Sequence, residues 1–216
     1  MKNFKFYIPV IAALLLQSCA ANPAQSSNSS TSVSTSSATS SLYSNAAFKK
    51  SFESISSEEL KKHLYIVASD EMEGRDTGSE GQKKAGRYLI SQYEKMGVSH
   101  PKSLQNYYQI VPKEALAGRR GNLPESENIL AFIEGTEKPD EVLVISAHYD
   151  HVGMKNGEIY NGADDDGSGT VALLEIAEAF QMAKNAGNGP KRSILFLHVT
   201  GEEHGLLGSK SYSENP

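Results

Sequence analysis

Three short stretches of this chain carry residue types able to hold a metal ion and move a proton. They are Ala147-His148-Tyr149-Asp150-His151-Val152-Gly153, Asn161-Gly162-Ala163-Asp164-Asp165-Asp166-Gly167-Ser168-Gly169 and Thr200-Gly201-Glu202-Glu203-His204-Gly205. In the first, His148 can give one ring nitrogen to a metal while Asp150 orients the ring through the other. In the second, three adjacent carboxylates repel one another unless a cation neutralises them. In the third, two adjacent glutamates at the end of a buried strand are costly without partners; one can bind a metal while its neighbour faces a metal-bound water. Each also has a plain reading when taken alone. These are a turn after a strand, an acidic helix start favoured by the helix dipole, and a solvated turn. The Asp spacing does not follow the alternating positions and late Glu of an EF-hand loop.

The same inventory excludes other chemistries. H-E-x-x-H, H-x-x-E-H and G-x-S-x-G are all absent from the sequence, so single-helix zinc protease and serine hydrolase readings have no support. The only cysteine is Cys19, which rules out an internal disulfide and a Cys-rich zinc module. A metal site here must use His, Asp and Glu, which suit zinc or a similar divalent ion.

The elements that position these residues are legible from pattern. Asn128 to Ile133, Glu141 to Ala147 and Ser193 to Thr200 read as strands, and Ser168 to Met182 as an apolar-periodic helix. Nearly every position of VLVIS and SILFL is apolar, the pattern of strands covered on both faces. Strands alternating with helices predict a three-layer α/β domain. In such sheets ligands gather beyond the carboxyl ends of the strands, where the first and third motifs fall; the second opens the helix between them. His198 lies inside its strand and is expected to pack. Upstream, Ser56 with Glu59 and Ser79 with Gln82 form capping boxes. They open helices carrying Leu60, Leu64 and Val67, then Ala85, Tyr88, Leu89, Tyr93 and Met96, with Gly97 as the stop. The polar, Gly-rich run from Ser69 to Ser79 between them reads on physical grounds as a connector.

Taken in order, SDEMEGRDTGSEG (69–81), NILAFIEG (128–135), VISAHYDHVG (144–153), NGADDDGSG (161–169) and GEEHGLLGS (201–209) resemble the M28 family of co-catalytic zinc aminopeptidases. No single stretch is specific, but the ordered set is. The resemblance runs from about residue 58 to the end. It implies a three-layer αβα sandwich around a mixed β-sheet, the zinc exopeptidase fold, and two zinc ions. Carried over residue by residue, His148 would bind one zinc, Asp165 would bridge both and Glu203 would bind the second. Glu202 would be the general base for the attacking water, and Asp150 would partner His148. A cis peptide between Asp165 and Asp166 is also implied. His151, Asp164, Asp166 and His204 are neighbours with no assigned ligand role. The implied activity is removal of N-terminal residues from peptide or protein substrates. Carboxypeptidases, single-zinc cyclotransferases and a non-catalytic binding module are the alternatives on the same fold.

The family pattern also takes an Asp and a His from further along the chain, and neither residue type occurs after His204. The expectation is therefore of an N-terminal portion of a catalytic domain, residues 48–216, incomplete at its C-terminus, inactive alone and with an exposed sheet edge.

The front of the chain reads as an address. Lys2 and Lys5 precede the short apolar run Phe6 to Leu16, which fits a secretory signal peptide rather than a span. Leu16-Gln17-Ser18-Cys19 resembles a bacterial lipoprotein box, so residues 1–18 are expected to be removed and Cys19 lipidated, anchoring the protein to a membrane of the bacterial cell envelope. Residues 19–47 are rich in Ser, Thr, Ala and Asn and read as a flexible linker. Net charge is −5, and becomes −7 once Lys2 and Lys5 are removed. Lys and Arg are scattered, with no basic stripe for nucleic acid.

Overall fold

A computed structural model describes residues 46–118 and 121–216. The expected signal segment, Cys19 and nearly all of the expected linker lie outside the described residues. The first helix, α1, spans Ala46–Glu53 and so takes in the last two residues of that linker.

Two capped helices follow. Helix α2 spans Ser57–Val67, and the Ser56 hydroxyl accepts the Glu59 amide at 3.1 Å. Helix α3 spans Glu80–Met96, where the Ser79 hydroxyl accepts the Gln82 amide at 3.2 Å. The Gln82 side chain does not return to the Ser79 amide. It accepts from the Gly78 amide at 2.6 Å instead, because the Ser79 amide is already bonded to the Asp76 carbonyl. Gly97 closes α3 in the left-handed conformation at φ 75°, where a side chain would be strained.

Four strands make one mixed sheet: β1, Tyr108–Val111; β2, Ser126–Ile133; β3, Lys138–His148; and β4, Arg192–Val199. The order across the sheet is β1-β2-β4-β3. The β1–β2 and β2–β4 pairs are antiparallel and β3–β4 is parallel. Parallel neighbours need a crossover, which is helix α4, Ser168–Asn185. The last helix, α5, spans Leu207–Glu214.

Alternation along β2 and β4 divides the core between the two faces of the sheet. Ile129, Ala131, Ile133, Ile194 and Phe196 pack with Val67, Leu89, Tyr93, Val171 and Leu174 from α2, α3 and α4. Leu130, Leu195, Leu197 and Val199 pack on the other face with Leu104 and with Tyr212 of α5. The fold is thus α/β with helices on both faces. His198 packs as expected: it is fully buried, with Nε2 2.8 Å from the Tyr93 hydroxyl.

One expectation fails. SILFL is buried throughout, whereas Val142, Leu143 and Val144 of VLVIS are 43%, 52% and 42% exposed. Among the described residues β3 is an edge strand. An apolar run reports strand propensity; it does not report whether a layer covers the strand.

Candidate metal centre

The parallel pairing places the site. It aligns His148, the last residue of β3, with Val199, the last of β4. The residues that leave the two strands, 149–153 and 200–204, therefore emerge side by side. The crossover helix starts at Ser168, so the acids before it meet the same end of the sheet. The turn Ala163–Gly167 holds them, entered through Gly162 at φ 56°. The Asp165–Asp166 peptide is cis.

Asp166 fastens the helix start to the strand end. Its carboxylate accepts from the Gly169 amide at 3.0 Å and from the His148 amide at 3.1 Å. The Thr170 hydroxyl adds a bond to the His148 carbonyl at 2.8 Å. With Asp166 committed to backbone, Asp165 projects outward, its side chain 67% exposed. His148 Nε2 meets Asp165 Oδ1 at 2.9 Å and lies 3.8 Å from Glu202 Oε2. On the other side of Asp165 stand His151 and Glu203, with Nδ1 and Oε1 2.6 Å apart. One donor atom from each of His151, Asp165 and Glu203 falls within 4.8 Å of the others. Asp165 is therefore shared by two donor groups, one containing His148 and the other Glu203.

His151 was expected only as a neighbour, yet it stands in this second group. Its Nδ1 and Glu203 Oε1 are buried and lack a hydrogen-bond partner among the described residues. Two converging, unsatisfied lone-pair atoms beside the Asp165 carboxylate repel one another unless a proton or a cation lies among them. Nitrogen and carboxylate oxygen together suit a borderline divalent ion, so the residues present fit such a group.

Asp150 lies beneath His148, fully buried. His148 donates its Nδ1–H to the Asp150 main-chain carbonyl at 3.0 Å; the Asp150 carboxylate is 3.7 Å away. That carboxylate accepts from the Thr77 hydroxyl at 2.7 Å and from the Glu202 amide at 3.3 Å. Asp150 thus ties the first motif to the third. Burial opposes a charge on His148, but Asp150, with Glu202 adding to it, outweighs that and lifts the imidazole to about 9. Burial raises the Glu202 carboxyl above its ordinary value; His148 pulls against this, while Glu203, Asp150 and Asp165 reinforce it.

Arg75 was not foreseen in the sequence. Its side chain is fully buried. Its guanidinium donates to four carbonyls: Val67 and Asn161 at 2.7 Å, Gly162 at 2.8 Å and Tyr149 at 2.9 Å. Tyr149 follows His148, and Asn161 and Gly162 lead into the acids, so one side chain sets the spacing of both loops. The backbone repeats the tie, with the His151 and Gly153 amides donating to the Arg75 and Gly74 carbonyls at 2.9 Å each. Nothing local marks Arg75, because three of its four acceptors lie more than 70 residues along the chain.

His204 reaches Asp76 instead of the acid cluster, Nε2 to Oδ1 at 3.2 Å. The two residues line a cavity of about 200 Å³ with Val152, Met154, Lys155 and Glu203. A larger hollow, about 520 Å³, is lined by Ile110, Lys113, Asn122 and Glu125 among others and gathers no metal-donor cluster among the described residues.

Residues 128–216 match the model of peptidase family M28, a stretch that contains every acid and histidine of the cluster. Over these residues the chain is similar to peptidase family M28. Within it, the chain is 35% identical over 88 residues to an Arabidopsis thaliana protein named probable glutamate carboxypeptidase, covering 41% of this chain and 12% of that one. It is 35% identical over 96 residues to an aminopeptidase of Rattus norvegicus, covering 44% and 12%. The chain thus spans about an eighth of the length of these curated M28 relatives. A leucine aminopeptidase precursor from Bacteroides thetaiotaomicron shares the fold, with a TM-score of 0.58 at 20% identity over 74% of this chain and 57% of that one. The fold is that of the zinc exopeptidases.

Proposed function

We propose that the protein is a two-zinc exopeptidase that removes N-terminal residues from peptides. The observation that supports this reading most is the sharing of Asp165 between two donor groups, His148 on one side and Glu203 with His151 on the other. In this reading His148 and Asp165 would hold one zinc, Asp165 and Glu203 would hold the second, and His151 would stand beside the second as an added donor. Bound zinc supplies Lewis acidity and lowers the pKa of water toward neutrality. Glu202 is the general base. Partial burial raises its carboxyl from the ordinary value, which brings it closer to the working range of a group that takes a proton and later returns it to a leaving amine. The buried Asp150 fixes Glu202 through its amide and His148 through a main-chain carbonyl.

The direction of attack is the open choice within the fold, and the relatives carry both kinds of name. The full-length protein, loaded with zinc, is assayed against an amino-acid anilide and a peptide with a C-terminal Glu. Cleavage of the anilide alone supports the aminopeptidase. Cleavage of the Glu peptide alone makes it a carboxypeptidase. Cyclisation of an N-terminal glutamine makes it a cyclotransferase, and zinc binding without turnover makes it a binding module. The proposal also includes Cys19 as the lipid attachment point in the bacterial envelope, tested by loss of acyl labelling in Cys19→Ala.

A further inference from the structure

A second convergence of donor atoms lies outside the centre described above. Glu59 and His63 stand four residues apart on α2 and so share one face. Glu175 reaches them from α4, where it lies about 10 Å of helix rise beyond Ser168. One donor atom of each falls within 4.8 Å of the others. His63 Nε2 is 3.9 Å from Glu59 Oε2 and 3.8 Å from Glu175 Oε1.

Both inner members are buried, His63 at 5% and Glu175 at 1% exposure. Each is held by its other atom. His63 Nδ1 meets the Tyr88 hydroxyl at 2.5 Å, and Glu175 Oε2 accepts from the Ser56 amide at 3.4 Å. What remains is Glu175 Oε1, a buried carboxylate oxygen with no hydrogen-bond partner among the described residues, aimed at His63 Nε2 across a gap too wide for a hydrogen bond. With Tyr88 accepting from Nδ1, the Nε2 lone pair faces two carboxylates. This is the arrangement of a metal-binding imidazole whose second nitrogen is fixed by a neighbour.

We propose that Glu59, His63 and Glu175 form a separate divalent-cation site that takes zinc or a similar borderline ion through one imidazole nitrogen and two carboxylates. Tetrahedral zinc with bonds of about 2.0–2.2 Å sets its ligands roughly 3.3–3.5 Å apart, so the two gaps to His63 need to close by a few tenths of an ångström, and the gap between the two carboxylates, within 4.8 Å, by about 1.5 Å at most. Glu59 can supply the movement on its side of the site. Its side chain is 43% exposed, and its partner is the surface ammonium of Lys62 at 2.9 Å. The ion would clamp α2 to α4, the helix that opens at the acid cluster, and its role is structural.

The test separates the two centres. The full chain carrying Asp165→Asn and Glu203→Gln, which disables the first cluster, is titrated with Co²⁺ by visible absorption and its zinc content is measured after dialysis. One equivalent is expected to remain, and to be lost on adding His63→Gln or Glu175→Gln with the far-UV spectrum unchanged. Should those buried variants fail to fold, Glu59→Gln decides, with affinity expected to fall about tenfold. The proposal is overturned if the chain with the first cluster disabled binds no metal, or if the added substitutions leave stoichiometry and affinity unchanged. Neither result depends on what the first centre catalyses.

Discussion

Replacing Arg75 by lysine keeps the charge and removes the geometry. The guanidinium reaches four carbonyls with three nitrogens: Nη1 serves Val67 and Asn161, Nη2 serves Gly162 and Nε serves Tyr149. A lysine ammonium is a single point donor. Placed where Nη1 lies, it keeps Val67 and Asn161, leaves Tyr149 without a donor and removes one of the two donors to Gly162, whose carbonyl still accepts from the Gly167 amide at 3.1 Å. The orphaned buried Tyr149 carbonyl costs roughly 1–3 kcal/mol and the lost charge-assisted bond to Gly162 about 1 kcal/mol more, so Arg75→Lys should destabilise by about 3 kcal/mol. In a domain of this size that is a fall in Tm of roughly 6–12 °C. The two lost bonds are to the residue after His148 and to a residue shortly before Asp165, so zinc affinity should fall as well, by roughly 10–100-fold. Urea unfolding with and without zinc measures both. A variant within about 1 kcal/mol of the parent, binding zinc as tightly, would refute the clamp. Burial lowers the Arg75 pKa to about 10, with Asp150, Asp166 and Asp165 opposing the shift, so the group is charged at neutral pH and Arg75→Met tests removal of the charge.

Three further outcomes are expected. In the full-length protein Glu202→Gln should lower kcat by roughly 10²–10⁴-fold while zinc content holds, and near-parental turnover would remove Glu202 from the role of base. Gly74→Ala should lower the urea midpoint: Gly74 sits at φ 68°, and a Cβ there would collide with the Gly153 and Tyr160 carbonyls, a backbone cost of at least about 1 kcal/mol. Parental stability would show that the 74–153 junction yields. His198 is held neutral by burial, at about 3 against an ordinary 6.5. The unfolded chain therefore binds this proton first, so the contribution is complete above pH 6.5 and falls, by up to about 1.4 kcal/mol per pH unit, as pH drops toward 3. Urea midpoints between pH 7 and 4.5 should fall less steeply in His198→Gln, and equal slopes would assign the acid lability elsewhere.

How much of this was legible depended on whether the cause was local. Ser56, Ser79 and Gly97 act within a few residues of themselves, and their caps form where the pattern places them. The strands before the first and third motifs follow from apolar runs, and parallel pairing through α4 then brings their ends together. What escaped was set by distant neighbours. VLVIS is exposed because β3 lies at a sheet edge, which no local pattern encodes. His151 enters the cluster because its amide is bonded to the Arg75 carbonyl from a segment far upstream. Asp150 meets His148 through its carbonyl because Thr77 and the Glu202 amide already occupy its carboxylate.

The run from Ser69 to Ser79, which on composition alone is a connector, proves to organise the site. It carries no donor of the Asp165 cluster, yet its Arg75 side chain, its Gly74 and Arg75 carbonyls and its Thr77 hydroxyl touch all three motif-bearing loops or the residue beneath them. Carboxylates this close repel one another, and a sheet end alone leaves the loops that carry them free to spread. Holding the loops by their carbonyls confines the acids without neutralising them, because the guanidinium bonds to backbone and to none of the carboxylates. The acid lone pairs thus remain available to a cation. The charge that favours the loops' positions is buried behind them, where it does not compete for the site.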